Sequence, residues 1–207
     1  MWAEDKSQYR LDFKVWRGQL PLRDVESKSK SINLNIKKYL EAHILKDAAK
    51  SCVNIASFKP IANEPVLNEV SSLNYCYSIT KGSKMDFYSF KGAHQKFTTG
   101  EFGVKEPSGN LSLMAIDQID AFLIPGLCFD QSGQRIGYGQ GHFDKYLSKL
   151  KNNKTKQSQI KIGVCYSEQV SEFEFKCEQH DVPMDVVITE NYILEPMLER
   201  LKWIKEH

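Results

Sequence analysis

Cysteine is scarce in this 207-residue chain: five residues, an odd count with no Cys-x-x-Cys pair. That excludes a disulfide framework and a zinc clip of the usual spacing. Charge of one sign is lacking too. The 28 basic side chains nearly cancel the 26 acidic ones, leaving +2, too balanced for a partner such as nucleic acid or a membrane surface. No apolar run reaches the ~18 residues that a bilayer span needs. The opening stretch MWAEDKSQYR has no apolar signal core, so a cytoplasmic chain is expected. What is present is ordinary for a folded protein. Hydrophobic residues make up 41% and charged residues 26%, so disorder is not the default. With no internal repeat and no interdomain linker, residues 1–207 are expected to form one domain, and a monomer is expected.

Three cysteines, Cys52, Cys128 and Cys165, lie in apolar stretches and are expected in the core as small hydrophobes. None of the five is read as an activated thiol nucleophile.

Periodicity organises the rest. Tyr9, Phe13, Trp16 and Leu20 stand at helical spacing and predict a helix over residues 5–20 with one buried apolar stripe. Lys6, Arg10 and Arg17 share another face, which by itself reads as solvated. Ile32, Ile36, Tyr39 and Leu40 predict a second helix, with Lys37 and Lys38 outside. Short apolar runs at 51–58, 74–80, 84–90, 120–125, 162–166 and 186–189 read as strands. Residues 98–110, rich in Gly and Pro, read as a loop. Phe143, Tyr146, Leu147 and Leu150 predict a helix directly after a glycine cluster. The lysine-rich segment 149–161 reads as a solvated connection, and 195–204 as a closing helix with Pro196 in its first turn. Strands alternating with helices, several of them apolar throughout, give an α/β domain of three layers, helices on both faces of a mostly parallel sheet.

The glycine cluster carries the chemistry. Gly137, Gly139 and Gly141 alternate through Arg135-Ile-Gly-Tyr-Gly-Gln-Gly-His-Phe-Asp144, so the backbone can approach a ligand without side-chain interference. The run ends at a helix N-terminus, where unpaired N–H groups favour phosphate. Arg135 adds a permanent cation able to grip phosphate in a fork. Asp144 falls in the first helical turn, off the apolar face, where it suits a magnesium ion at those phosphates. No Gly-Lys-Ser/Thr follows, so this is not a P-loop. His142 stands at the third glycine position of the dinucleotide fingerprint, so it is not that either.

At these residues the chain resembles the 5-formyltetrahydrofolate cyclo-ligase family, also called 5,10-methenyltetrahydrofolate synthetases. The central signature is IPGLCFDQSGQRIGYGQGHFDKYL. Flanking pieces follow in family order: Lys6-x-x-x-Arg10, Phe58-x-Pro60-x-x-x-Glu64, Met85-x-Phe87, Glu106-Pro107, His180-Asp181-x-Pro183-Met184-Asp185 and Thr189-Glu190. The resemblance implies a Rossmann-like three-layer fold akin to that of sugar-phosphate isomerases and CoA-transferases. It implies ring closure of 5-formyltetrahydrofolate with ATP as co-substrate and Mg2+ as cofactor, through phosphorylation of the formyl oxygen and attack by N10.

Residue by residue, the resemblance puts Lys6, Arg10 and Arg135 through Phe143 (Gly137, Tyr138, Gly139, Gln140, Gly141 and His142 among them) at ATP. Lys59, Glu64, Met85, Tyr138, Gln140 and His142 fall to the folate, with Phe87 beside Met85 walling the pterin. Asp144 and Asp181 match the magnesium carboxylates, Arg135 and Asp144 are implied as catalytic, and His180 has a structural place beside Asp181. The chain departs from the family at His142-Phe143, where two tyrosines are common, and at the neutral Gln140. The strand 75–79 also lacks the usual proline and basic residue at its end, a gap for which Lys81 or Lys84 is the candidate. A non-catalytic homologue would keep the glycines and Arg135 but lose other positions; Asp144, Asp181, Lys6, Arg10 and Glu64 are all retained. An RNA-associated module would need a further basic domain, and a sugar-phosphate isomerase an acid/base pair that is not evident.

Overall fold

The computed structural model describes residues 6–45, 52–92, 94–152, 159–176, 178 and 181–196. Two helices come first, α1 (Lys6–Gly18) and α2 (Leu22–His43). Pro21, in extended conformation, separates them and precedes the first turn of α2, where its missing N–H costs nothing. Strands β1 (Asn54–Ser57), β2 (Asn74–Lys81) and β3 (Lys84–Phe90) follow, then β4 (Lys96–Thr99), β5 (Lys105–Ser108) and β6 (Leu111–Met114). The second half holds β7 (Ala121–Pro125), β8 (Cys128–Asp130), β9 (Arg135–Ile136), α3 (His142–Asn152), β10 (Ile160–Val164), β11 (Val170–Ser171), β12 (Val186–Ile188) and β13 (Ile193–Leu194).

Eight strands form the central sheet in the order β13-β12-β10-β7-β1-β2-β3-β6. The pairs from β12 through β2 are parallel, and β13, β3 and β6 add antiparallel edges. Alternation along each strand divides the core. Ala121 and Leu123 of β7 join Ile32, Ile36 and Leu40 of α2 on one face. Phe122 and Ile124 join Tyr146 and Leu147 of α3 on the other. With both faces covered, the central strands have no solvent side, hence their unbroken apolar runs.

The topology creates a crevice. From β1 the chain moves to β2 on one side, and from β7 to β10 on the other, while β1 and β7 lie side by side. Such a switch point leaves the connections at the strands' carboxyl ends splayed apart, the usual place for a ligand in an open α/β sheet. The segment after β1 carries Lys59 and Glu64, and the segment after β7 carries Arg135 to Asp144.

Several expectations are corrected. Residues 98–110 are not all loop: β4 and β5 form a two-stranded ribbon there. The buried Glu106 carboxylate anchors the ribbon by accepting the Thr80 N–H at 2.8 Å. The three-stranded sheet β11-β8-β9 was not legible, because strands of two or three residues have no period to read. On α1, Tyr9, Phe13, Trp16 and Leu20 are only partly buried, packed at the edges of core clusters. The buried residue of that helix is Arg17. Cys52 is exposed whereas Cys76, Cys128 and Cys165 are buried, since Cys52 precedes β1 and only the strand itself enters the core. The closing helix lies outside the described residues beyond Pro196, as does most of the polar part of 149–161. Among the described residues no helix is long and apolar enough to cross a membrane.

Candidate active site

One cavity of about 430 Å³ opens at the crevice, within the range of small-molecule sites. Lys6, Arg10, Lys59, Glu64, Met85, Asp181 and the whole run from Arg135 and Gly137 to Asp144 line it. Tertiary structure thus brings together residues that the sequence places 175 positions apart, as in the Lys6–Asp181 contact.

The glycine loop is shaped by local sterics. Gly139 and Gly141 have φ of +99° and +66°, backbone that side-chain-bearing residues adopt only under strain. Arg10 packs against this loop, its Nε donating to the Gly137 carbonyl at 3.0 Å. His142 opens α3 and its Nε2 lies 3.0 Å from the Gly82 carbonyl oxygen, which the imidazole meets as donor. Lys145 N–H then closes the first helical turn onto the Gly141 carbonyl at 2.9 Å.

Arg135 projects from β9. Its Nη2 meets Asp144 Oδ2 at 3.0 Å, its Nη1 donates to the Pro125 carbonyl at 3.3 Å, and its guanidinium lies over the Phe143 ring. The buried Nε has no hydrogen-bond partner. On the opposite wall Lys6 Nζ donates to Asp181 Oδ2 at 2.8 Å and lies 3.4 Å from Glu178 Oε1. Burial alone would lower the Lys6 pKa, but the hydrogen bond and charge of Asp181, with Glu178, hold it above its ordinary value. Each candidate metal carboxylate therefore carries a cationic partner from the same cavity.

Glu64 is 1% exposed. Its Oε2 accepts the Ile61 N–H at 3.1 Å, and Oε1 sits 3.5 Å from Arg17 Nη2 without a hydrogen-bond partner. Burial pushes its pKa up to about 7, against the opposing charge of Arg17. Lys59 Nζ lies over both the Tyr77 and Phe97 rings, 4.5 and 4.4 Å from their centroids. Burial lowers its pKa, with Glu69 opposing.

Two expectations about the site change, and one is not reached. Phe87 is not a cavity wall: it packs in the core against Phe122 and Tyr146. Met85, two residues earlier on the same face of β3, holds the wall position. Lys81 and Lys84 are exposed and do not line the cavity. His180 lies outside the described residues. Sequence reasoning missed Lys14, Phe102 and Glu178, which also line the cavity, and Arg17 just behind it. For α1 a signal existed: Lys6, Arg10, Lys14 and Arg17 fall on one helical face.

A magnesium ion fits this donor set. Among the described residues no group of three or more His, Cys, Asp or Glu side chains could hold a metal. Two carboxylates, Asp144 and Asp181, border the same cavity. Magnesium commonly takes one or two carboxylates and completes its shell with water and substrate phosphates.

Comparison with known proteins agrees with this geometry. The chain is 27% identical over 117 residues to a probable 5-formyltetrahydrofolate cyclo-ligase of Schizosaccharomyces pombe, a stretch covering 53% of this chain and 57% of that protein. It is 32% identical over 130 residues to the 5-formyltetrahydrofolate cyclo-ligase of Mycoplasma pneumoniae, covering 61% of this chain and 70% of that one. So the chain matches little more than half the length of the yeast relative. Among solved structures, a 5,10-methenyltetrahydrofolate synthetase from Mycoplasma pneumoniae superimposes with a TM-score of 0.67 at 23% identity, over 90% of this chain and 99% of that one. One from Aquifex aeolicus gives 0.68 at 24% identity, over 92% of each; these two likenesses establish the fold. The model of the 5-formyltetrahydrofolate cyclo-ligase family matches residues 3–190, and it is to this family that the chain belongs.

Proposed function

We propose that this chain converts 5-formyltetrahydrofolate to 5,10-methenyltetrahydrofolate, using ATP and releasing ADP and phosphate. Supporting this reading is one cavity that the glycine loop and the cations Lys6, Arg10 and Arg135 share with a buried carboxylate, Glu64. The first group suits a triphosphate and the second the N–H donors of a pterin. A formyl oxygen is a poor leaving group from carbon, and phosphorylation makes it a good one. N10 then attacks the activated carbon and phosphate departs.

Such phosphoryl transfer needs mainly positioning and charge stabilisation. In this reading the amides of 137–141 and the Arg135 fork hold the transferred group, Lys6 and Arg10 hold the nucleotide, and Tyr138, Gln140 and His142 border both substrates. Lys59 and Met85 flank the folate. Asp144 and Asp181 would hold Mg2+, which when bound neutralises phosphate charge. Before nucleotide arrives, Arg135 and Lys6 keep those carboxylates in place; phosphate oxygens then compete for the same two cations. The reading takes residues 1–207 as one cytoplasmic domain acting as a monomer.

The test is spectrophotometric: methenyl-folate formation from 5-formyltetrahydrofolate, with and without ATP and magnesium. Product only when both are present is expected. No product, with folate and ATP still bound, would overturn the catalytic assignment.

A further inference from the structure

Arg17 is a cation buried to 1% exposure on a helix none of whose other residues is buried. All three guanidinium nitrogens donate hydrogen bonds. Nε donates to the Ala62 carbonyl at 2.8 Å, Nη1 to the Gly126 carbonyl at 3.2 Å, and Nη2 to the Tyr138 hydroxyl. Nη2 also lies 3.5 Å from Glu64 Oε1. These partners come from three places: the turn before Glu64, the residue after β7, and the glycine loop. A buried ion pair is weak evidence for stability, because a well-packed apolar side chain often serves as well. What the pair does is specific: it fixes a buried carboxylate on the cavity wall, its Oε1 enclosed beside Arg17 and the Tyr138 phenol. An ionised carboxylate is an acceptor at both oxygens.

We infer that Arg17 is a positioning residue, holding the Glu64 carboxyl in place at the cavity wall and favouring its charged form, which accepts from an N–H donor of the bound folate. This rests on the folate reading of the site given above. The groups facing Glu64 are Arg17 from α1, the Tyr138 phenol from the glycine loop and the Tyr166 phenol after β10. Burial pushes both phenols up to about 12, so they stay neutral near pH 7. The local charge balance is therefore between Arg17 and Glu64. With Arg17 in place the carboxyl titrates at about 7, burial raising it and the guanidinium restraining it; losing that cation shifts it further toward the neutral form.

The experiment follows the Glu64 carboxyl by ¹³C NMR in the ligand-free protein across a pH series, for wild type, Arg17→Met and Arg17→Lys. Michaelis parameters are measured on the same samples. In Arg17→Met the Glu64 midpoint should rise by about one pH unit or more, while Arg17→Lys should keep it near the wild-type position. At neutral pH the KM for 5-formyltetrahydrofolate in Arg17→Met should rise about tenfold, and recover as pH is raised and Glu64 ionises; a purely structural defect would show no such recovery. An unmoved Glu64 midpoint in Arg17→Met would overturn the inference. Should that variant fail to fold, the wild type decides. The Arg17 guanidinium ¹⁵N signals should titrate with the Glu64 midpoint, and independent titration would overturn it. A wild type with no turnover would refute the cyclo-ligase reading instead, and the NMR titration would still judge the Arg17–Glu64 link.

Discussion

The stability of this protein should depend on pH in a direction set by Glu64. An unpaired surface carboxylate has nearly the same pKa folded and unfolded, but Glu64 moves from an ordinary 4.5 to about 7 because burial disfavours its charge. Between those values the folded state binds the proton more tightly than the unfolded chain does. Stability contributed by this group is then fully present below the unfolded value, falls as pH rises toward about 7, and is flat above it. Each pH unit in that window is worth ~1.4 kcal/mol, so the whole window removes about 3 kcal/mol, an upper figure. That is a large share of the 5–15 kcal/mol typical of a domain. Urea unfolding of wild type and Glu64→Gln between about pH 5 and pH 8 isolates the effect, because other titrating groups cancel in the difference. The difference curve should change by about 2–3 kcal/mol in favour of Glu64→Gln as pH rises. Any constant offset from losing the Arg17 counter-charge leaves the slope untouched. A flat curve over this range would mean that Glu64 titrates at or below its ordinary value, with Arg17 offsetting the cost of burial.

Two further outcomes test other parts of the site. Asp144→Asn removes one of the two carboxylates assigned to magnesium and the Arg135 ion pair at 3.0 Å. It should raise the magnesium concentration for half-maximal activity at least tenfold, and an unaltered magnesium titration would remove Asp144 from the metal site. Gly133 has φ +80°, and a Cβ there would stand 2.5 Å from the Met184 carbonyl oxygen, on a turn that the Gly133 N–H closes onto the Asp130 carbonyl and that Met184 N–H joins from a distant segment. Gly133→Ala should destabilise by about 2 kcal/mol or more, and a thermal midpoint unchanged from wild type would show that the turn relaxes freely.

Arg17 shows why part of the site was hidden. Its neighbours on α1 alternate in a way that predicts an aromatic stripe against the core, and a charged face away from it. Yet that helix packs on the small β11-β8-β9 sheet as well as on the main core, with Tyr9 and Phe13 against Phe175, Cys128 and Ile136. Packing between two surfaces shares burial among several side chains and closes Arg17 off where they meet the Glu64 turn. Phe87 was misread for a related reason. Period two fixes which face of β3 a side chain occupies, but not how far along that face the cavity ends.

The sequence alone determined what local physics governs. Apolar runs marked the buried parallel strands, helical spacing marked α2 and α3, and the glycines before a helix marked the candidate site with Arg135 and Asp144 beside it. Tertiary structure decided which distant residues share one solvent-excluded space. Lys6 against Asp181, and Arg17 against Glu64 and Tyr138, are contacts across the sheet's switch point, where strand order rather than sequence spacing sets neighbours. Burial at that point decided the chemistry too: it gives Glu64 its raised pKa and sets Arg17 and Tyr138 beside it, and neither follows from the residue types themselves.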